Sequence, residues 1–163
     1  DCYFGSYELP EGNQLDKSAV VIFSIPDLGI KFKAPFDGVN NDHNDFASLL
    51  ALLEFIDSNQ KYFSNHTYQI FGNNKKIINQ VNNHEQPPLI FTPLMQKAKD
   101  YRKKYRFSLS WIKPDDNPVY RCFLIDAPFG MTDNGCMPTP LTLHKDITAG
   151  RFKQAYYFFG EED

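Results

Sequence analysis

No apolar run in the chain approaches the roughly 18 residues that a membrane-spanning helix needs. Strong charge of either sign is also missing. Lys and Arg number 17 against 20 Asp and Glu, a formal net charge of −3. That excludes a globally basic nucleic-acid binder, and any phosphate contact has to come from a local basic patch. Cys2, Cys122 and Cys136 contain no C-x-x-C pair, and His43, His66, His84 and His144 are scattered. A zinc site draws four N or S ligands from short paired spacings, which this pattern does not supply. Buried or idle thiols are the expectation, and with them a reducing, cytoplasmic setting. In such a setting the Asn65-His66-Thr67 sequon carries no weight. Repeats and low-complexity tracts are absent. No signal peptide is visible, and a start at Asp1 rather than Met is compatible with a trimmed upstream segment.

What remains is a chain of 163 residues, 42% hydrophobic and 15% aromatic. These values describe one soluble domain with enough apolar material to build a core without disulfides or a metal. The stretch from Asp1 to Leu9 has room for a short strand. Ser18 to Ile25 is β-branched and aromatic and reads as a good strand. Pro26-Asp27-Leu28-Gly29 has turn chemistry, and Ile30 to Phe36 alternates apolar and polar residues as a half-exposed antiparallel partner.

A helix is expected next, capped by Asn41, Asp42 or Asn44 and carrying Phe46, Leu49, Leu50, Leu52, Leu53 and Ile56 on a broad apolar face. Thr67 to Phe71 reads as a strand ending at Gly72. Asn73 or Asn74 then caps a short helix holding Ile77, Ile78 and Val81. After Pro87-Pro88, Thr92-Pro93 supplies a cap and a first-turn proline for a helix to about Arg106, followed by a strand from Phe107 to Ile112. Beyond Val119, Cys122–Ile125 and Gln154–Phe159 are two further candidate strands around a Pro/Gly/Thr-rich segment. Three strands in a meander followed by β-α-β crossovers give a mixed sheet flanked by helices.

The order of these elements and four local words resemble the ribonuclease H family. Tyr3-Phe4-Gly5-Ser6 is similar to the Thr-Asp-Gly-Ser motif of its first strand, and Asn41 to Glu54 to its first helix. Ile70 to Val81 resembles its fourth strand, which ends in Gly-Asp-Ser before an Ile/Val-x-Gln helix. Ser110 to Asn117 resembles its last strand and acidic loop. The resemblance covers residues 1–121 and implies a ribonuclease H-like α/β fold with a mixed five-stranded sheet. Residues 122–163 form a C-terminal extension, expected to pack on the same domain.

In active members of that family four carboxylates hold two magnesium ions, which activate a water and stabilise the leaving oxygen. The positions matched by the resemblance are Phe4, Asp45, Asn73 and Arg121, and only Asp45 is a carboxylate. One anion does not hold two divalent ions, so the resemblance implies a domain without catalytic residues, metal or other cofactor. Arg121 paired with Asp45 would put a guanidinium where metal charge would otherwise lie. As a helix-start residue, Asp45 also simply suits the helix dipole.

Lys97, Lys99, Arg102, Lys103, Lys104 and Arg106 place six cations within ten residues, with Lys99, Lys103 and Arg106 on one helical stripe. They are the candidate contacts for RNA, DNA or an RNA/DNA hybrid, although a solvated face is the commoner use of such a run. Lys75 and Lys76 extend the patch. Tyr101, Tyr105 and Trp111 have the chemistry to stack on bases, and as often serve a core.

Two other readings stand beside nucleic-acid binding. One is a divergent magnesium- or manganese-dependent nuclease built from relocated carboxylates among Asp37, Asp42, Asp45, Asp115, Asp116 and Asp126. The other is a protein-interaction module that docks through the aromatic segment Tyr156-Tyr157-Phe158-Phe159.

Overall fold

β-branched and aromatic residues run through the segment that becomes β2 (Ala19–Ile25), and every one of its positions is buried. It is flanked by β1 (Cys2–Glu8) and β3 (Ile30–Phe36), both antiparallel to it, with Phe4 opposite Phe23 and Ile25 opposite Ile30. The β2–β3 connection is a single 3₁₀ turn over Pro26–Leu28, closed by Gly29 at a φ of 66°. That left-handed conformation is cheap only without a Cβ. β4 (Tyr68–Gly72) adds to β1 in parallel, and β5 (Phe107–Trp111) adds in parallel to β4. β6 (Gly130–Asp133) pairs antiparallel with β3, giving the order β5-β4-β1-β2-β3-β6.

This computed structural model describes residues 1–63, 66–120 and 130–133. Its first five strands are the expected meander and crossovers. The sixth comes from the Pro/Gly/Thr-rich segment, where no strand was expected. The expected strands Cys122–Ile125 and Gln154–Phe159 lie outside the described residues, as do Asn65 of the sequon and Tyr156 to Phe159.

Asn40, one residue ahead of the expected caps, is the N-cap of α1 (Asn41–Ser58), and its side chain accepts from the His43 amide at 2.8 Å. After a short α2 (Gln60–Phe63) and β4, the Asn74 side chain caps α3 (Lys75–Val81) by accepting from the Ile77 amide at 3.2 Å. At α4 (Thr92–Lys104) the expected Thr92 cap is not used. A 3₁₀ turn over Leu89–Phe91 runs straight into the helix, so Thr92 is already helical at φ −55° and ψ −45°. α4 ends at Lys104 because Tyr105 is extended, which removes Arg106 from the helical stripe expected with Lys99 and Lys103. No helix among the described residues is long and apolar enough to cross a membrane.

α1 lies on β1 and β2 and also contacts α3 and α4, while α3 reaches β5. Phe23, Phe32, Phe46, Leu49, Leu53 and Phe55 sit in the core between these layers. On the opposite face of the sheet, Val20 and Ile22 meet Val119 and Tyr120 from a 3₁₀ turn over Pro118–Tyr120. β3 was expected to be half-exposed, and it is not. Lys31 and Lys33 are only 3% and 1% exposed. Lys31 Nζ donates to the Pro118 carbonyl at 2.9 Å, and burial lowers its pKa to about 8. Alternation along a strand reports two different faces, but not whether the polar one meets water.

Candidate functional site

The parallel strands β1, β4 and β5 end on the same edge, where α1 and α3 begin. Ser6 stands near the end of β1, Asp42 and Asp45 occupy the first turns of α1, and Asn74 starts α3. The Ser6 hydroxyl donates to Asp45 Oδ1 at 2.6 Å. The Asn74 amide donates to Asp45 Oδ2 at 2.8 Å and to Asp42 Oδ1 at 3.0 Å. Lys76 Nζ lies 3.0 Å from Asp42 Oδ2. Each of the four carboxylate oxygens therefore accepts a hydrogen bond from this chain.

The two acids are tuned in opposite directions. Burial raises the Asp45 pKa above the usual carboxylate value, with the Asp42 charge adding to the rise and the Ser6 and Asn74 hydrogen bonds opposing it. Burial also acts upward on Asp42, but the Asn74 and Lys76 hydrogen bonds and the Lys76 charge outweigh it and leave its pKa lowered.

A second polar layer lies behind this one. The Asn73 side-chain oxygen accepts from Asn117 at 3.2 Å and lies 3.3 Å from the Tyr120 hydroxyl. Tyr120 also bonds the Ser6 backbone, and its own pKa is raised by burial and by the Asp45 charge. Asn117 reaches the Phe4 carbonyl at 3.0 Å. A Cβ on Gly5 would come within 2.6 Å of the Tyr120 hydroxyl, so this close packing requires glycine there.

Phe4 has no place in the polar cluster. It is 1% exposed, lies in the core, and meets Gly72 so closely that a Cβ there would fall 2.4 Å from its ring. Alternation along β1 gives the α1 face of the sheet to Phe4 and Ser6 in turn, and Ser6 is the one at the strand end where Asp45 sits. Of the three matched positions among the described residues, Asp45 alone joins the carboxylate cluster. Asn73 points to Asn117 and Tyr120, and Arg121 lies outside the described residues, so its pairing with Asp45 does too. Ser6 and Lys76 were in view as motif and patch residues without a part in the site. Asn74 was in view only as a cap, and its second contact across α1 leaves no local signature.

Among the described residues the donor set does not suit a pair of magnesium ions. Such a pair brings four positive charges and takes several anionic oxygens. Asp42 and Asp45 supply two negative charges, and Lys76 offsets one of them. Among the described residues no three His, Cys, Asp or Glu side chains come together. Asp37 is exposed ahead of α1, Asp115 and Asp116 are exposed together in the 3₁₀ turn over Pro114–Asp116, and Asp126 is outside the described residues. A cavity of about 560 Å³ lies beside Asn40 and Asn44, between the loop after β1 and the start of α1, and neither Asp42 nor Asp45 lines it.

The six cations around α4 divide. Arg102 donates to the Val81 carbonyl and the Asn82 side chain and packs on the Phe107 ring, 5.4 Å from its centroid, tying α4 to α3. Lys104 binds Asp57 at 2.6 Å. Lys97, Lys103 and Arg106 are exposed, and Lys99 is half-buried. The start of α4 meets the start of α1 through Phe91, His43 and Phe46, and its end meets Glu54 and Asp57. Twelve residues separate Asp45 from Asp57, so the cationic end of α4 lies about 18 Å along α1 from the acidic cluster. Tyr101 and Tyr105 are bonded to Glu54 and Asp57, which makes them packing residues.

No family model and no curated protein matches this chain. Solved structures do. The crystal structure of LC11-RNase H1 in complex with an RNA/DNA hybrid has a TM-score of 0.56 and 13% identity, over 71% of this chain and 86% of that one. RNase H1 from the halophilic archaeon Halobacterium salinarum NRC-1 has a TM-score of 0.54 and 16% identity, over 70% and 85%. The fold is ribonuclease H-like, as the sequence words implied. Identities this low establish the fold and nothing finer.

Proposed function

We propose that this domain binds nucleic acid without hydrolysing it. The observation that carries the reading is the closed state of the acidic cluster, with all four oxygens of Asp42 and Asp45 accepting from Ser6, Asn74 and Lys76. A metal pair would have to displace those donors and work against the Lys76 ammonium. On the binding side, a similarly folded RNase H1 was crystallised with an RNA/DNA hybrid. Exposed Lys97, Lys103 and Arg106 offer phosphate contacts here.

Labelled single-stranded RNA, single-stranded DNA and RNA/DNA hybrid are titrated with the protein at low salt, and cleavage is followed with magnesium and with manganese. Salt-sensitive binding without cleavage is the expected result. Metal-dependent cleavage abolished by Asp45→Ala would establish the divergent nuclease instead. Absence of binding to all three nucleic acids would leave the protein-docking module.

A further inference from the structure

The segment from Asn73 to Lys76 serves two sites at once. Asn74 and Lys76 close the acidic cluster, while the Asn73 carbonyl and Lys75 face Trp111 at the end of β5. Trp111 Nε1 donates to the Asn73 carbonyl at 3.2 Å, which fixes the plane of the indole. Lys75 Nζ stands 4.8 Å from the ring centroid. With both contacts made, Trp111 is still 40% exposed, on the same sheet edge as exposed Lys113.

A large aromatic surface left in water at a strand end contributes little to the core. Held in a fixed plane among lysines, it has what a single-stranded nucleic acid needs: a π-face for a base and cations for the neighbouring phosphates. We infer that Trp111 and Lys75 form a stacking platform for one unpaired base of an RNA or DNA strand. The inference rests on the nucleic-acid reading above and adds a location distinct from α4. It asks for a flexible strand, because a base inside a duplex does not present its face to an indole.

The chain has a single tryptophan, so tryptophan emission excited beyond the tyrosine absorption band reports this platform alone. A fluorescein-labelled oligouridine is titrated with the full chain, reading label anisotropy, and the unlabelled strand is used to follow tryptophan emission. An abasic strand of equal length serves as the comparison. The expected result is quenching of Trp111 by the oligouridine and not by the abasic strand. Trp111→Ala should weaken binding by about 5- to 150-fold, the range for loss of one stacked base, and Trp111→Phe should recover part of it. Melting curves of both variants establish that they fold. A rise in anisotropy with unchanged tryptophan emission and equal affinity for Trp111→Ala would overturn the platform and leave nucleic-acid binding in place. No rise in anisotropy at low salt would overturn the platform, and the nucleic-acid reading would fall with it only if single-stranded DNA and the RNA/DNA hybrid also failed to bind.

Discussion

Ser6 Oγ and Asp45 Oδ1 are 2.6 Å apart, so a hydroxyl at the end of β1 closes on a carboxylate in the first turns of α1. The contact joins two segments separated by 39 residues. The Asn74 amide completes the bonding of the same carboxylate from the start of α3.

From the ordinary value of 3.8, the Asp45 pKa is raised and the Asp42 pKa lowered. Between 3.8 and the raised value the folded protein holds more protons at Asp45 than the unfolded chain, so this group makes stability fall as pH rises through that window. Asp42 acts in the opposite sense. Its contribution is present above 3.8 and is lost as pH falls through its lowered value. Carboxyl NMR titration should therefore place the Asp45 midpoint above 3.8 and the Asp42 midpoint below it. In Asn74→Ala both midpoints should move up, since one amide serves both acids, and the lost α3 cap should cost about 0.5–2 kcal/mol. Movement in opposite directions would contradict the shared donor.

Gly72 leaves room for the Phe4 ring, and a Cβ would sit 2.4 Å from it. Gly72→Ala should lose about 1–3 kcal/mol in urea denaturation, as overpacking of a filled core does. Adding Phe4→Leu should cost less in the Gly72→Ala background than in the parent. Strictly additive losses would mean that the two residues do not compete for space.

Adding an acid separates Phe4 from Ser6. Ser6→Asp puts a third carboxylate beside Asp45, so the protein should be less stable without divalent ions and gain melting temperature with manganese chloride. Phe4→Asp buries a carboxylate among apolar side chains, where even Phe→Ala costs about 3–5 kcal/mol. It should fail to fold with or without manganese. Manganese-dependent folding of Phe4→Asp would show that Phe4, not Ser6, faces the acidic cluster.

Cations on and after α4 should sort by their contacts. Lys103→Ala and Arg106→Ala should each reduce the slope of log affinity against log salt by about 0.7–0.9 while leaving the melting temperature unchanged. Arg102→Ala should instead lower the melting temperature, because it removes a donor from the Val81 carbonyl and from the Asn82 side-chain oxygen at the end of α3. Equal salt slopes for the parent and the Lys103 and Arg106 variants would remove this helix end from the interface.

The sequence by itself determined the five principal strands, the three longer helices and their order, because period-two and period-3.6 patterning, prolines and asparagine caps act within a few residues. It also carried the family word order that the fold matches. Tertiary structure decided which residues meet. Asn74 reads as a cap, yet its amide bridges Asp42 and Asp45 only because α3 starts beside α1. Lys31 and Lys33 look like solvent-facing positions until the second face of β3 is covered. Phe4 and Ser6 are two residues apart on one strand face, and only the height at which α1 crosses β1 puts one in the core and the other on the acid. Such choices depend on contacts between segments distant in the chain, which no local pattern encodes.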